Sequence, residues 1–213
     1  MTILLSDPRV SAVPVRECGE PLLALDASFG PAHALVRAGL ADRLVAARDA
    51  LPDGVRLRVV EGFRPAEQQL AIIADYSAQV CREFPGISPG DLHRLTSRFV
   101  APLAVAPHVA GAAVDLTLTD DAGHDLDLGT PIDATPEQSG GRCYTAAADI
   151  SPRARHHRDL LARVLGGAGL VNYPTEWWHW SYGDRYWALV SGAPAALYGP
   201  ASVVSARLDG TAA

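Results

Sequence analysis

Cysteine is scarce and badly placed for pairing. Cys18, Cys81 and Cys143 are odd in number, far apart, and include no Cys-x-x-Cys pair. That excludes a disulfide framework and a cysteine-based zinc knuckle, and the three read as reduced, small apolar residues. Long apolar runs are also missing, because nothing approaches the ~20 residues needed to span a bilayer. The start, Met1 to Pro8, lacks a basic head and a long apolar centre. No secretory signal is therefore expected, and a cytoplasmic location is. Positive charge is in short supply: 18 Lys and Arg face 24 Asp and Glu, a net charge of -6. Neither nucleic acid nor an anionic membrane surface is an expected partner. Glycine-rich phosphate loops and a Gly-x-Ser-x-Gly elbow are absent.

What remains is an ordinary globular composition, 48% hydrophobic and 20% charged over 213 residues, enough to bury a sizeable core. The whole chain reads as one domain. Residues 1–28 are broken by proline and glycine and read as irregular. The small, polar stretch 200–213 reads as a loose tail. After Pro31, the spacing of Leu35, Leu40, Leu44, Ala47 and Leu51 predicts a helix. Val55 to Val60 is β-branched and reads as a strand. A second helix starts at Pro65, with Leu70, Ile73, Ser77, Val80 and Phe84 as its buried stripe, and a third covers about residues 91–99. Val114 to Thr119 reads as a strand, and Asp120 to Gly129 as a solvated acidic hairpin. Thr130 to Ser151 has little periodicity and reads as a long functional loop. A helix from Pro152 to Ala168 ends at Gly169, and strands follow at Trp177–Tyr182 and Tyr186–Val190. These elements do not alternate as in a doubly wound sheet. They predict an α+β fold, a small antiparallel sheet covered by helices.

Two segments carry the chemistry: Pro107-His108-Val109-Ala110-Gly111-Ala112-Ala113-Val114-Asp115 and Pro174-Thr175-Glu176-Trp177-Trp178-His179-Trp180. Each sets a histidine near a carboxylate among small or aromatic residues. Two histidines and one aspartate suit a catalytic zinc ion, which takes three protein ligands and keeps one open position. Glu176 lies three residues before His179, near enough to act as a base without being a ligand. Gly111 lets the backbone bend between His108 and Asp115. Each piece alone also fits a structural role: a hydrogen-bonded histidine, an aspartate capping a turn, a tryptophan wall.

The His-x-x-Gly-x-Ala-x-Asp spacing from His108 to Asp115 and the Glu-Trp-Trp-His run resemble the VanX-type D-alanyl-D-alanine dipeptidases. That family sits in a wider group of zinc D,D-peptidases that includes VanY-type carboxypeptidases, and Hedgehog signalling domains have a related zinc site. Supporting stretches are Glu61-Gly62-Phe63-Arg64-Pro65, Leu128 to Asp133 and Asn172 to Glu176. The resemblance runs from about Phe29 to about Gly199. It implies one zinc per chain on His108, Asp115 and His179, with Glu176 as the base. It also implies Arg64 as an oxyanion donor and Asp133 as a partner of the substrate amine. Trp177 and Trp178 are expected to wall the substrate, a short dipeptide such as D-Ala-D-Ala.

Two positions depart from the family pattern. A serine usual two places before the first zinc histidine is Ala106 here, and Leu23 is nearest to a tyrosine that helps hold the amine. Both bear on the choice of substrate and not on the reaction. A same-mechanism amidase for another small molecule, or a zinc-stabilised binding domain, are the rival readings. The other histidines, His33, His93, His124, His156 and His157, read as solvated or structural, with His124 and His157 nearest to the cleft.

Overall fold

The computed structural model describes residues 2–202, so most of the expected loose tail lies outside the described residues. Its centre is a four-stranded antiparallel sheet of order β3-β4-β6-β5. The strands are β3 (Val55–Glu61), β4 (Ala113–Asp120), β5 (Val171–Asn172) and β6 (His179–Ser181). β4 is buried from Ala113 to Thr119, as an inner strand covered on both faces must be. Val114, Leu116 and Leu118 point to one face. There they meet Leu57 and Val59 of β3, Leu40 and Leu44 of α2 (Ala38–Asp49), and Leu161 and Leu165 of α6 (Pro152–Gly167). Alternation turns Asp115, Thr117 and Thr119 to the opposite face.

α3 (Ala66–Glu83) packs against α4 (Pro89–Thr96), and α3 lines the cleft that opens over Asp115 on that opposite face. α3 buries Gln69, Tyr76 and Val80. Leu70, expected in the stripe, is 51% exposed, and Phe84 is exposed as well. The true stripe is rotated because a polar residue, Gln69, faces inward. Among the described residues no helix is long and apolar enough to cross a membrane.

The structure departs from the sequence expectation in four places. The N-terminal segment is not irregular throughout: it holds α1 (Pro8–Ala12), capped by the Asp7 side chain on Arg9 N, and β1 (Leu22–Ala24). β1 pairs with β2 (Leu35–Arg37), so Leu35 is in a strand and the helix starts only at Ala38. Leu35 fell in phase with the helical leucines by spacing alone. Its carbonyl accepts from Phe63 N at 2.6 Å, which ties β2 to the chain leaving β3. The segment 185–191 is a helix, α7 (Arg185–Ser191), and not a strand. Asp184 caps it by accepting from Trp187 N, and Gly192 closes it at φ 73°. Within the long loop a short helix, α5 (Pro136–Ser139), forms on a capping box between Thr135 and Gln138.

Candidate metal centre and active-site cleft

Strand register assembles the site. Asp115 pairs directly with His179 on one side and with Glu61 on the other. Directly opposed residues on adjacent strands lie side by side on one face. Glu61 reaches this row only through a bulge, because the pairing shifts between Val59 and Glu61. Val59 faces the core opposite Leu116, so without the extra residue Glu61 would face the core too.

His108 completes the cluster from the turn before β4. Gly111, at φ 65°, makes that turn, and a Cβ there would meet Leu22 Cδ2 at 2.4 Å. His108 Nδ1 lies 2.7 Å from the Gly62 carbonyl oxygen. A carbonyl only accepts, so Nδ1 carries the proton and Nε2 offers a lone pair to the cluster. Gly62 is required here because any Cβ would sit 2.5 Å from Leu35 O. Arg64 N also donates to His108 O at 3.1 Å, which locks the two segments together.

His108 Nε2 and His179 Nδ1 are 3.1 Å apart. His179 Nδ1 is 3.1 Å from Asp115 Oδ1, and His108 Nε2 is 3.4 Å from Asp115 Oδ2. Ligands ~2.1 Å from a tetrahedral ion are separated by ~3.4 Å. All three residues are buried, and their donor atoms converge as a metal site requires. Burial alone would raise the Asp115 carboxyl. His108 and His179 instead hold it well below the ordinary carboxylate range. Burial acts against a charged His108, but the Asp115 charge outweighs it and raises that imidazole.

Glu176 stands beside this triad. Its Oε2 is 3.9 Å from His179 Nδ1, and its Oε1 is buried with no hydrogen-bond partner among the described residues. Its backbone is fixed by Asn172, whose Nδ2 donates to both Glu176 O and His179 O at 2.9 Å. Burial, reinforced by the Asp115 and Asp133 charges, pushes Glu176 well above the ordinary carboxylate range. A carboxyl so placed is poised to accept and return a proton.

A cleft of about 570 Å³ opens over the triad, within the usual range for a small-molecule site. Arg64, Asp133, Trp178 and Ala106 line it, and it continues along α3 past Tyr76 to Arg82. Asp133 adopts a left-handed φ of 62° at the cleft's rim. Burial of its carboxyl, with the Asp115 and Glu61 charges, pushes it up to about 6. Trp177 is not among the lining residues. It is buried in the core, donates from Nε1 to Thr130 Oγ1, and stacks near Arg158. Of the two tryptophans, which share the turn before β6, Trp178 reaches the cleft. Leu23 is exposed on β1 and away from the cleft. His124 lies exposed in the hairpin after β4, and His157 Nδ1 binds Asp127 O, so neither approaches. Sequence reading missed Gln69 and Tyr76, which line the cleft from α3. The only advance signal was a polar Gln69 one position from the presumed stripe.

A family model described as D-ala-D-ala dipeptidase matches residues 33–191. The chain belongs to the D-Ala-D-Ala dipeptidase family. It is 30% identical over 216 residues to a D-alanyl-D-alanine dipeptidase of Synechocystis, covering 83% of this chain and 87% of that one. A D-alanyl-D-alanine dipeptidase of Escherichia coli is 28% identical over 127 residues, 59% of this chain and 54% of the other. Among solved structures, VanYB in complex with D-alanine-D-alanine is similar at a TM-score of 0.47 and 18% identity, covering 81% of this chain and 84% of that one. A vancomycin-resistance D,D-pentapeptidase VanY in complex with Zn(II) gives 0.46 and 17%, covering 86% and 90%. The family model and the Synechocystis relative make the present chain a peptidase. Within its dipeptidase-family segment fall Arg64, His108, Asp115, Asp133, Glu176 and His179, every one of which lines the cleft.

Proposed function

We propose that this peptidase hydrolyses D-Ala-D-Ala or a closely related free dipeptide, using one zinc ion held by His108, Asp115 and His179. The observation that carries the proposal is the convergence of those three donors beside an unpartnered, buried Glu176. Zinc, when bound, supplies Lewis acidity that polarises the scissile carbonyl and acidifies water. Glu176 takes a proton from the attacking water and delivers it to the leaving amine. Arg64 donates to the oxygen on which negative charge develops. Asp133 at the rim pairs with the substrate ammonium. The site sits in one domain spanning the matched segment, and it needs no second chain to complete its donor set.

Selectivity for a free amine rests on Asp133 and not on a pair of tryptophans, since Trp177 is in the core and the cleft runs on along α3. Blocking the amine removes the charge that Asp133 binds. A panel of free and N-acetylated dipeptides of each stereochemistry, assayed for release of the C-terminal amino acid, tests this. D-Ala-D-Ala should be cleaved best, L-Ala-L-Ala and acetylated dipeptides poorly. Asp133→Asn should raise KM for the free dipeptide, since a charge-assisted hydrogen bond contributes about 1.5–3 kcal/mol. A preference for N-blocked substrates would make the enzyme a carboxypeptidase or amidase. No turnover of any member with zinc bound would favour a binding domain.

A further inference from the structure

Arg64 is held by more than its ion pair. Glu61 grips one edge of the guanidinium, accepting from Nε at 2.7 Å and from Nη2 at 2.5 Å. Gln69 grips the other side, its Oε1 accepting from Nη1 at 2.7 Å. The Gln69 Nε2 donates to Ala101 O at 2.8 Å. Gln69 is 1% exposed, unusual for a glutamine. Its amide therefore bridges Arg64 to the chain segment that leads into Ala106 and His108.

An arginine carries five N–H donors. Three are engaged by Glu61 and Gln69, which leaves two. Glu61 alone would let the guanidinium swing with its partner, because the Glu61 side chain is 32% exposed against 13% for Arg64. The second, buried anchor removes that freedom. We propose that Gln69 is a positioning residue for the reaction: it fixes the guanidinium so that its two free N–H groups meet the developing oxyanion. The inference rests on the oxyanion role given to Arg64 above. Its physical basis is that a preorganised donor needs no reorganisation at the moment charge develops, whereas a loose one does.

Gln69→Met removes both amide hydrogen bonds while keeping chain length. With zinc content unchanged, kcat for D-Ala-D-Ala should fall about 10–100-fold, as expected for a misplacement of order 1 Å, with KM little altered. Affinity for a phosphinate analogue of D-Ala-D-Ala should fall in parallel. In an Arg64→Ala background the same replacement should change kcat by less than about twofold, because coupled residues are non-additive. Gln69→Glu keeps the acceptor for Arg64 and loses the donor to Ala101, and it should recover most of the lost rate. It also carries the test if Gln69→Met fails to fold. An equal loss in both backgrounds, an unaltered kcat in Gln69→Met, or a Gln69→Glu variant that folds yet stays as slow as Arg64→Ala would overturn the inference. Wild-type protein that neither cleaves the dipeptide nor binds the phosphinate would overturn the reading of Arg64 itself. Wild-type turnover with an indifferent Gln69→Met would overturn the role of Gln69 alone.

Discussion

Glu176→Ala is expected to keep its zinc and lose about 10²–10⁴-fold in kcat, the usual contribution of a positioned acid–base group. The structure separates the two functions. Three donors meet at 3.1–3.4 Å without Glu176, whose nearest oxygen to the cluster is 3.9 Å from His179 Nδ1. Its Oε1 has no partner among the described residues that would compete for the proton it is to carry. Glu176→Gln should behave alike, since it fills the same space without basicity. Metal analysis beside steady-state kinetics decides the matter. Loss of metal together with activity would make Glu176 a ligand or a support of one.

The second large effect is on stability. Arg158, on α6, is 2% exposed and among the described residues has no carboxylate partner within hydrogen-bond reach. It instead donates to four carbonyls: Leu128 O at 2.8 Å, Tyr144 O at 2.7 Å, Arg142 O at 2.8 Å and, more weakly, Thr145 O at 3.5 Å. Burial lowers its pKa to about 10, which leaves it charged at neutral pH. These bonds pin both ends of the segment that carries Asp133. Arg158→Met would strand Leu128 O and Arg142 O, each costing about 1–3 kcal/mol when unsatisfied in the interior, while Tyr144 O keeps the Ala147 N–H at 2.9 Å. A loss of at least about 2 kcal/mol follows, or a drop in Tm of about 4–8 °C for a domain of this size. Thermal unfolding reads it directly, and a Tm within about 2 °C of wild type would show that the loop is anchored elsewhere. KM should rise as well, because Asp133 loses its support.

The legible parts of this molecule were those written in short-range pattern. β3, β4 and α6 followed from alternation or a helical stripe bounded by proline and glycine. The metal ligands and Glu176 stood out because histidine and carboxylate sat close together in two segments. What escaped depends on distant neighbours. β1 and β2 are three residues each and exist through pairing with one another. α7 had its cap and its terminal glycine in view, yet Tyr186 to Val190 is rich enough in β-formers to mislead. The bulge that turns Glu61 onto the ligand row is a matter of register between β3 and β4, which no local pattern records. Trp177 and Trp178 look alike in sequence, and only the packing of Trp177 against Thr130 and Arg158 assigns it to the core. Gln69 betrays itself by burial, a property of α3 once it is laid over the sheet.

Dipeptide hydrolysis is proposed to require a single zinc on His108, Asp115 and His179. The most direct test is a zinc titration of chelator-treated protein, following D-Ala-D-Ala cleavage and bound metal together. Activity should rise linearly and saturate at about one equivalent per chain, as for one three-ligand site. His179→Ala should neither retain the metal nor recover activity. Full activity in protein stripped of metal, or full zinc retention in each of the three single alanine variants, would contradict the account.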